Sequence, residues 1–356
     1  MATLKLRDRD SIITREGLIF RVFGYSHLPN AFICDVEYAP LKIFKSSNPK
    51  AFRNRGKTVY YKFFEDEGFK FLRKHYPQHL MFDEKLGTSV MAVAHSDIAR
   101  VLKPEKKLDE LSKSEPKDEL IIALHNLLTL VTQCSGLKLE DFGVFGSILH
   151  DFYHPKFSDL DFVIYGREKL GKLLKTLQEF YATNSSLLRC EFEDDATVKG
   201  KKWRFENYSV KDYLWHQKRK LIYALFNDEK SRRIIKTEFE PVKNWQEITS
   251  EKNEEVRICK KGWVKMFARV VDDSNAPFIP SVYDIQPFEI LQGEEEAAEA
   301  QRIVSFMEEF RMQAWKDEKV YVEGNLEEVT TPKDSFYQIT LTYCPRYYEQ
   351  VLKVIS

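Results

Sequence analysis

Hydrophobic and polar positions along this chain repeat with two different periods, and the switches between them divide it into regions. Up to residue 94 the period is mostly two. Residues 13–24 (ITREGLIFRVFG), 31–38 (AFICDVEY), 58–64 (TVYYKFF) and 89–94 (SVMAVA) are rich in β-branched and aromatic side chains and predict strands, with a short helix over 69–75. Residues 102–118 are charged and carry Pro104 and Pro116, the pattern of a linker. Beyond it Leu120, Ile121, Leu124, Leu127, Leu128 and Val131 recur at helical spacing. Ser114 is the expected N-cap, Pro116 falls in the first turn, and Gly136 is the expected stop.

The helical period returns over 167–182, where Leu170, Leu173, Leu174, Leu177 and Phe180 form an apolar stripe. It returns again over 209–226, where Ser209 with Asp212 three residues on forms a near capping box. Between these two, residues 187–206 predict a hairpin. Residues 232–242 predict a strand with Ile235, Thr237 and Phe239 on one face and Lys236, Glu238 and Glu240 on the other. After a polar stretch at 246–256, strands are expected at 257–272, 281–291, 319–329 and 335–343, with a helix within 293–317. Strands at this spacing suggest a small barrel of OB type.

The elements predict an α+β protein in three regions. Residues 1–103 form an N-terminal α+β domain, 104–117 a linker, 118–248 a core of mixed sheet with flanking helices, and 249–356 a β-rich, OB-like domain. A chain of 356 residues is longer than one core usually serves. Lys plus Arg and Asp plus Glu each number 55, so no global basic excess points to a nucleic-acid binder. The five cysteines show no CxxC spacing, which argues against a zinc site and a disulfide framework and suits a reducing cytoplasm. The N-terminus has no apolar core of a signal peptide, and no apolar run approaches a membrane span, so a cytoplasmic protein with no membrane contact is expected.

The candidate chemistry lies in residues 142–166, FGVFGSILHDFYHPKFSDLDFVIYG. Asp159 and Asp161 are separated by one residue at the start of an apolar run. In an extended chain they share a face, beside a strand expected to be buried on both sides. Two acids placed so repel each other unless a cation lies between them.

An apolar strand, Gly146-Ser147, eleven residues and then Asp159-Leu160-Asp161-Phe162, with helices on either side, resembles the nucleotidyltransferase superfamily of the DNA polymerase β type. The match covers about 100 residues. The flanks resemble archaeal predicted nucleotidyltransferases of unassigned substrate. The resemblance implies transfer of an NMP from an NTP, such as ATP, to an RNA 3′ end, a protein side chain or a small molecule, with release of pyrophosphate. It implies two Mg²⁺ ions, for which Mn²⁺ is an alternative, with Asp159 and Asp161 as ligands and Gly146 and Ser147 on the triphosphate. It also implies a third acid on a neighbouring strand, as metal ligand and catalytic group. Glu238 is the first choice, Glu240 the alternative, and Glu191 and Glu193 are weaker candidates. A catalytically silent version of the fold, binding RNA or a protein partner, is the other reading.

Lys199, Lys201, Lys202, Arg204, Lys218, Arg219, Lys220, Arg232 and Arg233 cluster in sequence around this region. They read either as a solvated face or as an electropositive rim for a triphosphate or RNA backbone. Trp203, Tyr208 and Trp215 are candidates for base stacking, with core roles as the plainer reading. Arg53, Arg55 and Lys57 read as a solvated basic loop. Neither the acceptor nor the oligomeric state is encoded in any recognisable motif.

Overall fold

Alternating strands with one buried face organise the first hundred residues. The computed structural model describes residues 4–56, 58–183, 187–193, 205–248, 256–344 and 346–355. Among them, three sheets and six α-helices make a mixed α+β chain that divides into two compact units. The first unit takes residues 1–82, 89–190 and 222–248. The second takes 83–88, 191–221 and 249–356.

In the first unit an antiparallel sheet comes first. Its strands are β1 (Ser11–Thr14), β2 (Ile19–Val22), β3 (Ala31–Pro40), β4 (Phe52–Arg55), β5 (Thr58–Lys62), β6 (Leu80–Asp83), β7 (Thr88–Ala94) and β8 (Ile98–Leu102). Their order is β4-β5-β3-β2-β1-β8, with β7 joining β3 to β6. Helix α1 (Glu67–His75) packs Phe71 and Leu72 into the apolar core of this sheet, beside Phe20, Val36 and Phe63. Residues 13–24 are a hairpin rather than one strand. Gly17, at φ +88°, turns the chain where Thr14 and Leu18 begin to pair.

The expected linker holds a helix, α2 (Pro104–Ser112). Pro104 stands in the first turn, where its missing N–H costs nothing, and Pro104, Leu108 and Leu111 are buried at helical spacing. Helix α3 (Glu119–Ser135) starts later than expected. Asp118, not Ser114, caps it, accepting from the amides of Leu120 and Ile121, and Gly136 ends it in the left-handed conformation as foreseen.

The second sheet has the order β11-β12-β13-β10-β9. Its members are β9 (Phe142–Val144), β10 (Leu160–Tyr165), β11 (Leu188–Cys190), β12 (Tyr223–Asp228) and β13 (Arg233–Val242), and β10 and β13 run parallel. Between β9 and β10 lies a single helical turn, α4 (Gly146–Leu149), and α5 (Arg167–Tyr181) follows β10. Helices α3 and α5 pack against each other beside the sheet. Strand β11 pairs with the distant β12, while the turn at Gly200 of the hairpin expected over 187–206 lies outside the described residues. The helix expected over 209–226 is α6 (Val210–Arg219). It ends before Leu221, at φ +62°, so that residues 223–228 can serve as β12.

In the second unit β14 (Arg257–Asn275), β15 (Ser281–Gln292), β16 (Ala300–Ser305), β18 (Ser335–Leu341) and β17 (Lys319–Thr330) pair in that order. β17 pairs back onto β14, and β19 (Val351–Ile355) lies beside β17. Every pairing in this ring is antiparallel except β16 with β18. Val264, Met266, Ala268 and Val270 of β14 are buried at period two and share a core with Val320, Val322 and Ile339. The helix expected within 293–317 is replaced by β16 and two 3₁₀ turns. Pairing of residues 300–305 with both β15 and β18 closes the ring and outweighs local helical preference.

Candidate active site on two parallel strands

Strand β10 is apolar and buried except at its second residue. Leu160, Phe162, Val163, Ile164 and Tyr165 are all buried, and Asp161 alone is partly accessible. The register of β10 with β13 sets Leu160 opposite Thr237 and Asp161 opposite Glu238. Residues opposite in a parallel pair point to the same face, so the two carboxylates lie side by side. Burial pushes the Asp161 carboxyl up to about 8, and the charges of Glu238 and then Asp159 push in the same direction, against Lys62 and Lys236. Asp159 stands just outside the strand, exposed at its lip. Its pKa is raised by desolvation against the opposing charges of Lys236 and Arg233.

Gly146 faces this pair. It has φ +60°, and a Cβ placed on it would overlap Oδ2 of Asp161. The Phe145 amide donates to the Asp161 carbonyl at 3.0 Å, which fixes the turn against β10. Only glycine combines this backbone conformation with this approach. Ser147 follows, partly exposed. Its carbonyl accepts the Phe152 amide at 2.8 Å, and among the described residues its hydroxyl makes no protein hydrogen bond.

The loop that delivers Asp159 is held from β13. The Arg233 guanidinium donates to the carbonyls of Pro155 and Ser158, each at 2.7 Å. Within the loop the His154 amide donates to the Ser158 hydroxyl and the Ser158 amide to the His154 carbonyl. Lys107 pairs with Asp151 at 2.7 Å, and Lys236 pairs with Glu238 at 2.9 Å.

Glu240, one step along the face from Glu238, has a different environment. It is 3% exposed and its Oε2 accepts from Arg9 at 2.7 Å. Arg9 is one of four buried charged residues, Arg7 to Asp10, that join the first sheet to the core. Arg7 lies over the Tyr165 ring at 3.7 Å, and Lys103 pairs with Asp10 at 3.4 Å. Glu240 is therefore a structural anchor, and Glu238 is the acid that the fold sets beside Asp161.

Glu191 and Glu193 belong to the second unit, where Glu193 lies 3.9 Å from Lys218. The basic cluster of the sequence is dispersed. Arg219 pairs with Glu318 and lies over Trp215, and Lys220 is buried and donates to the Glu309 carbonyl. Tyr208 is buried in the core of the ring, its hydroxyl bonded to the Leu352 carbonyl. Trp203 lies outside the described residues, as do Lys199, Lys201, Lys202 and Arg204.

Residues that sequence reasoning passed over sit near the carboxylates instead. Tyr38 packs on Phe152 at 5.2 Å and on the buried His150 at 5.5 Å, and Tyr60 packs on Phe152 at 4.8 Å. These contacts lay the face of β3 and β5 against the loop after Gly146. The alternation along TVYYK placed Tyr60 and Lys62 on one strand face, but nothing in it showed what that face meets.

The donor set suits a hard divalent cation. Asp161, its pKa raised, faces Glu238 across the strand pair, with Asp159 in electrostatic reach and Gly146 packed on the Asp161 carboxylate. Among the described residues no group of three or more His, Cys, Asp or Glu is gathered tightly enough to hold a metal by itself. Mg²⁺ commonly takes one or two carboxylates and completes its shell from substrate phosphates and water.

Comparison with known proteins adds little chemistry. The chain is similar to an uncharacterized protein of Methanocaldococcus jannaschii, MJ1086, with 28% identity over 339 residues covering 94% of each chain. No protein-family model matches, and no solved structure matches. No helix among the described residues is long and apolar enough to cross a membrane.

Proposed function

We propose that this chain is a Mg²⁺-dependent nucleotidyltransferase of the DNA polymerase β type, moving an NMP from an NTP to an acceptor hydroxyl or phosphate with release of pyrophosphate. The observation that carries the reading is the register of Asp161 with Glu238, with Gly146 packed on the Asp161 carboxylate. Bound divalent ions would bring charge stabilisation to the attacking and leaving oxygens. Asp159, Asp161 and Glu238 would hold them, with substrate phosphates and water completing the shell. Gly146 lets the phosphates approach the backbone, and the Ser147 hydroxyl donates to a phosphate oxygen. As the acceptor oxygen bonds to the α-phosphorus, the bond to the pyrophosphate oxygen breaks and Glu238 takes the acceptor proton.

Two features of the fold support this reading. A helix, a strand, a Gly-Ser turn and a parallel strand pair bearing acids follow the order that the resemblance to nucleotidyltransferases implies. The ring in the order β14-β15-β16-β18-β17, with β16 parallel to β18, fits an OB-type barrel. That barrel favours RNA as acceptor by analogy of fold. Cys34, Cys134, Cys190, Cys259 and Cys344 are all free thiols, in keeping with a cytoplasmic setting.

The test is transfer of label from each NTP, with Mg²⁺ or Mn²⁺, to a pool of total RNA and protein. Transfer by the wild type and its loss in Asp161→Asn and Glu238→Gln are expected. Transfer that persists in both variants would sink the assignment. That no three acids among the described residues are gathered closely enough to hold a metal by themselves favours one second reading, a silent core that binds RNA or a protein partner, for which no transfer would be seen with any NTP.

A further inference from the structure

The cations around the carboxylate pair are mostly committed. Lys236 pairs with Glu238, Arg233 spends its guanidinium on two loop carbonyls, and Lys107 pairs with Asp151. Arg53 of β4 donates to the carbonyls of Lys50 and Phe52 at 2.7 and 2.8 Å. Lys62 differs. It ends β5, directly opposite Tyr38 in an antiparallel pair, so the two side chains share a face. That face is the one whose Tyr38 and Tyr60 rest on Phe152, at the end of the Gly-Ser turn. Lys62 is partly buried, and its charge acts on Asp161. Among the described residues it nonetheless forms no ion pair and no side-chain hydrogen bond with any group. The Lys62 ammonium lies 5.9 Å from the Phe64 ring and acts on Asp161 without pairing with it, which leaves its N–H donors for an anion.

We propose that Lys62 is the substrate-facing cation of this site, donating to a phosphate oxygen of the nucleotide held over Asp161 and Glu238, so that the N-terminal sheet forms one wall of the nucleotide site. This rests on the nucleotidyltransferase reading and adds a residue from outside the core that carries the motif. It also gives the N-terminal sheet a task. The buried Arg9–Glu240 pair and the Tyr38 and Tyr60 contacts on Phe152 hold that sheet in place, and Lys62 is the group it delivers. The ligand class is a polyphosphate, recognised by charge and without base preference.

The experiment is calorimetric titration of the full chain with ATP, inorganic tripolyphosphate and adenosine, each with Mg²⁺. The wild type should bind ATP and tripolyphosphate. Lys62→Met should weaken both by roughly 10- to 100-fold, the worth of a charge-assisted hydrogen bond, and leave adenosine unchanged. Lys62→Arg should restore most of the loss, and both variants should melt with the wild type. If Lys62→Met binds ATP as the wild type does, the inference is overturned while the nucleotidyltransferase reading stands. A loss that Lys62→Arg does not restore, with a lowered melting temperature, also overturns it, since the residue would then be structural. Failure of the wild type to bind either polyphosphate overturns both.

Discussion

Asp161 and Glu238 occupy one register position on adjacent parallel strands, and the Glu238 charge raises the cost of ionising Asp161. The pair is set by two stretches of chain more than seventy residues apart, and it is a source of instability for the unliganded protein.

The pH dependence of stability follows from that cost. The Asp161 carboxyl sits at about 8 in the folded chain against an ordinary 3.8. Between those values the native state keeps a proton that the unfolded chain has released. The contribution of Asp161 is therefore full below about pH 4 and is lost as the pH rises towards 8. Asp161→Asn removes the penalty. It should melt above the wild type at pH 8, by roughly 2–4 °C for each kcal/mol relieved, and the margin should close near pH 4. Adding Mg²⁺ or Mn²⁺ at pH 8 should raise the melting temperature of the wild type and not of the variant. Equal responses to the ion would remove the pair from the proposed metal site.

Glu240 and Glu238 lie on one strand face and should separate cleanly in stability. Glu240 is buried against Arg9, so Glu240→Gln takes the nearer of two counter-charges from a buried guanidinium that also lies 3.6 Å from Asp8, at a cost of about 3 kcal/mol. Glu238 is partly exposed, and Glu238→Gln should change stability by no more than about 1 kcal/mol. Urea unfolding of the two variants decides it. Comparable losses would mean that Glu238 is also a structural residue.

The motif was legible in the sequence, and its surroundings were not. Gly146-Ser147 and Asp159-Leu160-Asp161 stand close together in the chain and depend on local turn and strand geometry, so residue types and spacing suffice to find them. Glu238 could be chosen as a strand residue but not separated from Glu240, because the difference between them is Arg9, some 230 residues away. The segment Arg7-Asp8-Arg9-Asp10 looks like a solvated charged tail, since burial of charge is invisible without its partners. Pro104 and its charged neighbours looked like a linker because the apolar spacing of Leu108 and Leu111 is too short a signal alone. The helix expected near 300 was displaced by strand pairing that closes the ring from both sides. Long-range pairing overrides local preference there, as it does at β12.

Gly146 can be compared with Gly136, which has nearly the same backbone conformation, φ +60° against +68°. Nothing lies within 4 Å of a Cβ added at Gly136, whereas one added at Gly146 meets the Asp161 carboxylate. Both alanine variants should lose the backbone cost of about 1–2 kcal/mol. Only Gly146→Ala should lose the stabilisation by Mg²⁺ and the transfer of label, because its methyl displaces the carboxylate. Retention of both in Gly146→Ala would show that the close approach has no functional role.

Arg233 gives the last test, of the loop rather than the acids. Its two N–H groups reach the carbonyls of Pro155 and Ser158, and the Phe157 and Ser158 amides in turn both bond to the His154 carbonyl. A lysine has no planar fork to span two carbonyls. Arg233→Lys should therefore speed amide exchange at Phe157 and Ser158 by about tenfold, the worth of roughly 1.4 kcal/mol of lost loop stability. Amides in the middle of β10 and β13 should keep their protection, because their ladder does not depend on this side chain. In transfer assays the variant should lose rate more than NTP affinity, since the loop positions Asp159 while Gly146 and Ser147 remain in place. Unchanged exchange in residues 154–158 would mean that the loop holds its shape without Arg233, and that Asp159 is positioned by β10 alone.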